Sequence, residues 1–312
     1  MASPERVTVV LATGGTIAGR AARPEDTLRY ESAQLGVAEL VGAVPALAGL
    51  PLELEQVAQV DSKDMGPGVW ARLAERVAFC LARAEVGGIV VTHGTDTLEE
   101  TAYFLHRLLA PARPVVLTAA MRPATALQAD GPQNLLDAVT LARTDGARGV
   151  VAVMAGEVFH PVGLRKAHTT RLDAFTGGDA GPIGRLEDGR LRRWREWPQG
   201  EALGLATLPR PGQPWPRVEI VMSHAGADGR LVRALCEQGL DGLVLAGTGH
   251  GTLAADLEAA ARQAQARGVR VRRASRCAAG AVLATDPEAL PASGELSPAQ
   301  ARVELLLELM RR

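Results

Sequence analysis

Short apolar runs recur along the chain, each followed by a polar or glycine-rich turn and then by a segment with helical spacing. Residues 7–12 (VTVVLA) form a near-continuous apolar run, the pattern of a strand buried on both faces. They pass directly into Thr13-Gly14-Gly15-Thr16-Ile17-Ala18-Gly19. Residues 21–31 are polar and aperiodic and predict a flexible loop with Tyr30 near its end. A helix is expected over 37–44, closed by Pro45, and a strand over 52–60. The stretch 61–68, ending Gly66-Pro67-Gly68, separates that strand from a helix over 69–83, where Val69, Leu73, Val77, Phe79 and Cys80 supply the apolar positions.

A strand over 86–91 then leads into Thr92-His93-Gly94-Thr95-Asp96-Thr97 and a helix over 98–109. Residues 115–119 predict another strand. Asp130 is the expected N-cap of a helix running to about Arg143, with Asn134 in its first turns. Residues 149–154 predict a strand, and 157–160 with 162–165 a hairpin pair. Residues 184–194 predict a second hairpin, turning at Asp188-Gly189.

Proline and glycine crowd residues 196–217, which read as a linker. The rhythm then resumes: strands over 218–222, 242–246 and 269–274, helices over 228–238 and 253–267, and an amphipathic last helix over 298–309. Strands alternating with helices imply parallel βαβ units. The expectation is an α/β protein in two parts. A larger N-terminal domain (1–195) has a doubly wound, mostly parallel sheet and a β-hairpin. A smaller parallel α/β domain (218–312) follows the linker.

Composition narrows the functional classes. With 312 residues, 47% of them hydrophobic, the chain can bury sizeable cores, and with only 3% aromatics those cores must be aliphatic. The formal net charge of −1 and the lack of a basic stripe disfavour a nucleic-acid or anionic-membrane partner; the short arginine run 190–195 reads as a solvated strand face. Cys80, Cys236 and Cys277 are far apart and show no CxxC spacing, so neither a disulfide framework nor a metal site is expected, and each reads as a buried inert thiol. No apolar run reaches the ~18 residues that a membrane span needs. The N-terminal residues lack the basic-then-apolar pattern of a signal peptide, so a cytoplasmic location is expected.

Only two lysines occur, Lys63 and Lys166, against a background of arginine, and there is a single asparagine, Asn134. A lysine kept under such a bias points to a need for a compact, titratable ammonium, which arginine cannot replace.

Several hydrolase and nucleotide motifs are absent. The glycine turn at 13–19 is neither GxGxxG nor GxxxxGK[ST], and neither GxSxG nor HExxH occurs. What remains is Thr16 and Thr95, each following glycine at a strand end, with Asp96, Tyr30 and Lys166. A threonine hydroxyl becomes a nucleophile when a base takes its proton. Lys166 is the candidate base and Tyr30 a proton relay. The N–H groups of the turns at Gly15 and Gly94 can approach a ligand or stabilise an oxyanion. This equipment suits acyl transfer on an amide or ester. Read singly, Thr16 and Asp96 could instead cap helices, and Lys166 could be a solvated charge.

The stretches 12–19 and 92–102 together resemble the bacterial-type L-asparaginases, the asparaginase/glutaminase family. Residues 61–65, 120–123, 129–135 and 246–251 agree with the same pattern, so the resemblance runs from about residue 6 to the last helix. It implies a two-domain α/β fold and cofactor-free, metal-free hydrolysis of L-asparagine to L-aspartate and ammonia. Thr16 then matches the nucleophile that forms a β-acyl-enzyme, and Tyr30 a lid tyrosine bonded to it. Thr95, Lys166 and Asp96 match a second set: the threonine orients water or assists attack, the lysine tunes protonation, and the aspartate binds the substrate ammonium. Ser62 matches the contact to the α-carboxylate, and the backbone at Ala120 a contact to the side-chain amide. Gly15, Lys63 and Gly94 complete the expected substrate wall. A homodimer or homotetramer, with a partner subunit completing each site, is implied as well.

Three departures stand out. Lys63 replaces a glutamine of well-known members. The 276–294 loop is shorter and offers only Glu288 for the glutamate they send to a neighbouring site. Thr252 stands where asparagine is frequent. Substrate preference between asparagine and glutamine is where these changes bear. The rival readings are an amidase with another substrate and a non-catalytic amino-acid sensor.

Overall fold

The computed structural model describes residues 6–284 and 286–311. Residues 1–5 (part of the stretch read for a signal peptide and of the expected 1–195 domain), Thr285 of the 276–294 loop and Arg312 of the expected 218–312 domain lie outside the described residues. The chain divides into two compact units, residues 1–177 with 181–205, and residues 178–180 with 206–312.

The first unit opens with β1 (Val7–Gly14), a short ladder of β2 (Arg20–Ala21) with β3 (Tyr30–Glu31), and α1 (Val37–Gly42). Next come β4 (Leu52–Val60), α2 (Pro67–Ala82), β5 (Val86–Thr92), α3 (Leu98–Leu109), β6 (Pro114–Thr118), α4 (Gly131–Ala142) and β7 (Gly149–Met154). Five short strands follow: β8 (Glu157–Phe159), β9 (Arg165–Lys166), β10 (Phe175–Thr176), β11 (Gly184–Glu187) and β12 (Arg190–Arg193).

Eight of these strands form one sheet in the order β12-β11-β8-β7-β6-β5-β1-β4. From β4 to β7 every neighbour is parallel; β8, β11 and β12 add antiparallel strands at one end. Alternation along the strands sends neighbouring side chains to opposite faces. Val10, Ala12, Val90, Val116 and Val151 pack with α1 and α4 residues Val37, Leu40, Leu135 and Val139. The intervening Val9, Leu11, Ile89, Val91 and Leu117 are buried on the other face, where α2 and α3 cover the sheet. Trp70 of α2 stacks on Phe104 of α3 with ring centroids 4.9 Å apart. The fold is therefore doubly wound.

The strand order has a consequence for the site. After β1 the chain moves outward to β4, then crosses back to β5 on the other side of β1. β1 and β5 thus flank a topological switch point, where open α/β sheets hold ligands beyond their carboxyl ends. The two threonine turns leave these two strands.

Several expectations need correction. Residues 157–160 and 162–165 do not pair with each other. β8 folds back on β7 across Ala155 and Gly156, both at positive φ (50° and 78°), and β11 flanks its other side. This is the two-residue geometry with positive φ that hairpins favour, built on Ala-Gly rather than Asn-Gly, and the Ala155 N–H is held by the Asn134 side-chain oxygen at 3.0 Å. Arg165 and Lys166 pair instead with Phe175 and Thr176. Helix α2 begins at Pro67, which suits a first helical turn that needs no N–H. Asp130 sits at the N-cap position of α4, but its carboxylate does not cap; it accepts from the Met121 and Arg122 N–H groups, each at 2.9 Å. The loop 21–31 is closed by the β2–β3 ladder, which sets Tyr30 opposite Ala21. Only Cys80 is buried; Cys236 is half-buried and Cys277 exposed. The hairpin at Asp188-Gly189 forms, with both residues at positive φ, and the arginines of β12 lie exposed on the outermost strand.

Part of the 196–217 stretch is tied into the first unit. Trp197 is buried in its core, and the Leu203 and Gly204 N–H groups donate to the Arg107 and Leu108 carbonyls. The second unit contains β13 (Val218–Met222), α5 (Arg230–Glu237), β14 (Gly242–Gly247), α6 (Ala255–Ala266), β15 (Arg270–Ser275) and α7 (Pro298–Met310). Its three strands are parallel, with β14 central. No residue of α7 is exposed, so this helix is buried on several sides rather than amphipathic. Among the described residues, no helix is long and apolar enough to cross a membrane.

Candidate active site

The turns after β1 and β5 meet backbone to backbone. Gly15 lies at φ +84° and ψ −172°, a conformation essentially reserved for glycine. A Cβ placed there would fall 2.3 Å from the Gly94 Cα. A Cβ on Gly94 would fall 2.4 Å from the Ser62 Oγ. Three chain segments thus converge with no space for side chains between them. The Gly15 N–H donates to the Val60 carbonyl, and the Thr13 hydroxyl to the Thr92 carbonyl, so both turns are pinned at their bases.

Each turn presents a buried threonine hydroxyl with a polar partner. Thr16 Oγ1 and Tyr30 Oη share a hydrogen bond of 2.8 Å. Thr95 Oγ1 accepts from the Lys166 ammonium at 2.8 Å, and the same ammonium donates to Asp96 Oδ1 at 2.6 Å. Lys166 therefore reaches the β5 turn from β9, 70 residues away in the chain. The Asp96 N–H donates to Ser62 Oγ and the Thr97 hydroxyl to the Ser62 carbonyl, which fastens the turn after β4 to the turn after β5. Ala120 follows β6; a Cβ on Gly131 would lie 3.0 Å from Ile17 and 3.5 Å from Ala120, so Ala120 stands beside the Thr16 turn. Lys63 does not join the cluster. Its ammonium pairs with Asp64 on the exposed side, and that hydrogen bond, with the nearby carboxylates, holds its pKa above the usual lysine value.

Beneath the turn runs a buried relay. The Trp70 indole N–H donates to Thr101 Oγ1 at 2.9 Å. His93 Nδ1 lies 2.7 Å from the Gly94 carbonyl, which can only accept, so Nδ1 carries the proton and Nε2 accepts from the Thr101 hydroxyl at 3.0 Å. Complete burial pushes the His93 pKa down to about 4, which keeps the ring neutral. His93 is thus a structural acceptor and donor under Gly94, not a proton shuttle at the surface. Asp130 and Asn134 form a second scaffold: the Asn134 amide donates to the Ala119 carbonyl and to Asp130, next to Ala120.

Sequence reading passed over Glu99. Its carboxylate accepts from the Lys166 main-chain N–H at 2.6 Å. A signal was present: Glu99 lies three, four and seven residues before Ala102, Tyr103 and His106, all buried, so an acid falls on a core-facing stripe. Trp70 and Thr101 carried no such polar signal, since both sit at positions suited to packing.

The model of the N-terminal asparaginase domain matches residues 7–199, and that of the glutaminase/asparaginase C-terminal domain matches residues 217–312. The chain belongs to the asparaginase family. The Escherichia coli (strain K12) L-asparaginase 2 is 37% identical over 309 residues, 96% of this chain and 88% of that protein. The Bacillus subtilis (strain 168) L-asparaginase 2 is 35% identical over 97% of this chain and 82% of its own length. Among solved structures, a probable cytoplasmic L-asparaginase from Campylobacter jejuni superposes with a TM-score of 0.91 at 34% identity, covering 98% of this chain and 95% of that one. The asparaginase match thus takes in both units, including Thr248, Thr252 and Glu288 of the second. Within that unit Thr248 and Thr252 bridge to each other, and Glu288 is exposed.

Proposed function

We propose that this protein hydrolyses L-asparagine to L-aspartate and ammonia, with L-glutamine as a lesser substrate, through a threonine acyl-enzyme. The observation that carries the reading is the meeting of two strand-end turns at the switch point, each presenting a buried threonine hydroxyl bonded to a proton-carrying side chain. Family membership of both units supports the reaction class.

In this reading Thr16 Oγ1 attacks the side-chain amide carbon, and its proton leaves through Tyr30. Backbone N–H groups of the glycine turns stabilise the oxyanion. The C–N bond breaks and ammonia leaves with a proton, giving a β-aspartyl ester on Thr16. Water, oriented by Thr95 and Lys166, then cleaves that ester. Asp96 receives the substrate ammonium, Ser62 the α-carboxylate, and the backbone at Ala120 the amide, with Gly15 and Gly94 lining the wall; Lys63, paired outward with Asp64, takes no part. The route draws on side chains and backbone alone, without a cofactor. We place the enzyme in the cytoplasm as a homodimer or homotetramer.

The test is ammonia release from L-Asn, L-Gln and D-Asn by purified protein and by its Thr16→Ala variant. The variant should keep the fold and lose turnover of L-Asn. Turnover near wild type in that variant would sink the nucleophile assignment, while binding of L-Asn without ammonia release by the wild type would favour a sensor.

A further inference from the structure

Lys166 is the one member of the Thr95–Lys166–Asp96 set that the large sheet does not deliver. It stands on β9, whose whole ladder is two residue pairs with β10. Ala167 and His168 donate their N–H groups to the Ala174 carbonyl, on the β10 side. The Lys166 N–H turns the other way and meets the Glu99 carboxylate at 2.6 Å. Glu99 lies in the first turn of α3, the helix that begins directly after the Thr95–Asp96 turn. The same few residues therefore hold Lys166 at both ends: Thr95 and Asp96 take the ammonium, and Glu99 takes the main chain.

We propose that Glu99 is a positioning residue for hydrolysis, fixing the Lys166 main chain so that the ammonium reaches Thr95 and Asp96. This rests on the asparaginase reading above and extends it to a residue that need touch neither substrate nor nucleophile. The surroundings give Glu99 a further property. Burial pushes its carboxyl up to about 7, against the pull of the Lys166 N–H, Arg165 and the Lys166 ammonium, and with a push from neighbouring Glu100. A carboxylate accepts a stronger hydrogen bond than a carboxylic acid does. The tether on Lys166 accordingly tightens as pH rises through neutrality.

Two substitutions separate the roles. Glu99→Ala removes the acceptor, and Glu99→Gln keeps an acceptor oxygen while abolishing the titration. Displacement of a reacting group by about 1 Å costs on the order of a hundredfold in rate. Glu99→Ala should lower kcat on L-Asn about tenfold to a hundredfold, with KM changed far less. Glu99→Gln should retain turnover within about threefold of wild type at pH 8 and lose an inflection near pH 7 from the kcat profile. Combining Glu99→Ala with Lys166→Met should add nothing to the loss from Lys166→Met alone, because both act through one group.

Normal kcat in a folded Glu99→Ala protein would overturn the proposal. If that variant fails to fold, as judged by far-UV circular dichroism, Glu99→Leu, which keeps the volume and removes the acceptor, takes its place, and normal kcat there would overturn the proposal equally. An active Lys166→Met enzyme would instead refute the assignment of Lys166. An inactive Lys166→Met beside a normal Glu99→Ala would leave that assignment standing and remove only the tether.

Discussion

The contact between Gly15 and Gly94 makes a quantitative prediction about how tightly the two threonine turns must close. Substitution of Gly15 by alanine acts twice. It forces a side chain into φ +84° and ψ −172°, which costs about 1–3 kcal/mol. It also drives a methyl group to 2.3 Å from the Gly94 Cα, where ordinary contact begins at 3.4 Å, so the turns must part by about 1 Å. Overpacking of this kind costs a further ~1–3 kcal/mol. The three nearest atoms, Cα and N of Gly94 and the carbonyl carbon of His93, are all backbone of a turn pinned at Thr92, so no rotamer change relieves the clash. Thr16 and Thr95 lie on the two parted segments, and a 1 Å separation predicts about a hundredfold loss in kcat. Gly94→Ala is the control. Gly94 has no positive φ, and its methyl would meet the Ser62 side chain, so only the packing part of the cost applies. Denaturant midpoints should fall for both variants, further for Gly15→Ala, with ammonia release measured alongside. A Gly15→Ala enzyme with wild-type midpoint and turnover would refute the reasoning, and so would a Gly94→Ala that is the less stable of the two.

Tyr30→Phe should leave the midpoint almost unchanged and lower kcat about a hundredfold, within the range of a lost proton-transfer group; stopped turnover assays showing less than a twofold change would exclude Tyr30 as the relay. Stability should depend on pH through two groups of opposite sign, the half-buried Glu99 and the fully buried His93. Glu99, raised from 4.5 to about 7, binds its proton in the folded state first, so its contribution is fully present below pH 4.5 and is lost as pH rises through 7, at most about 3 kcal/mol. His93, lowered from 6.5 to about 4, works the other way and adds stability as pH rises from 4 to 6.5. Thermal melts from pH 4.5 to 8 should therefore show Glu99→Gln gaining on wild type as pH rises; a constant difference would contradict the sign.

Much of the architecture is readable from the chain because the parallel strands are buried on both faces. Their apolar runs at 86–91 and 242–246 end at glycine or threonine, and β5 and β14 cover those positions. Short antiparallel strands are legible only where a turn signal marks them, as Asp188-Gly189 does for β11 and β12. The turn that folds β8 onto β7 uses Ala155, a residue with no preference for positive φ, and is held there by Asn134 from a different helix. At the site, Thr16, Thr95 and Asp96 were visible because glycines bracket them at strand ends, and Lys166 because lysine is so rare here. Their distances were not. A spacing of 70 residues between Asp96 and Lys166 carries no information about a 2.6 Å contact. The relay through Trp70, Thr101 and His93 was equally hidden, since each residue looks like packing until the three are in register.

The origin of each site residue also indicates where the site is weakest. Thr16, Thr95, Asp96 and Ala120 ride on turns at the ends of β1, β5 and β6, all central strands, and Ser62 on the turn after β4. Their positions are set by a sheet whose core side chains are almost wholly buried, and close packing resists displacement. Tyr30 and Lys166 come from two-residue ladders outside that sheet. Such ladders are too short to hold a side chain to a few tenths of an ångström. Each is therefore backed by bonds to the rigid part. The Lys166 strand is held by Glu99. The Tyr30 ladder is held by Thr125, which accepts from the Ala21 N–H, and by the Gly19 and Pro24 carbonyls, which accept from Ala124 and Leu127. Asp130 in turn holds the start of that supporting loop through the N–H groups of Met121 and Arg122. The two side chains that partner the threonine hydroxyls in the proposed reaction are thus the two carried on appended elements. Their tethers, more than the buried sheet, are where substitutions far from the threonines should alter turnover without unfolding the protein.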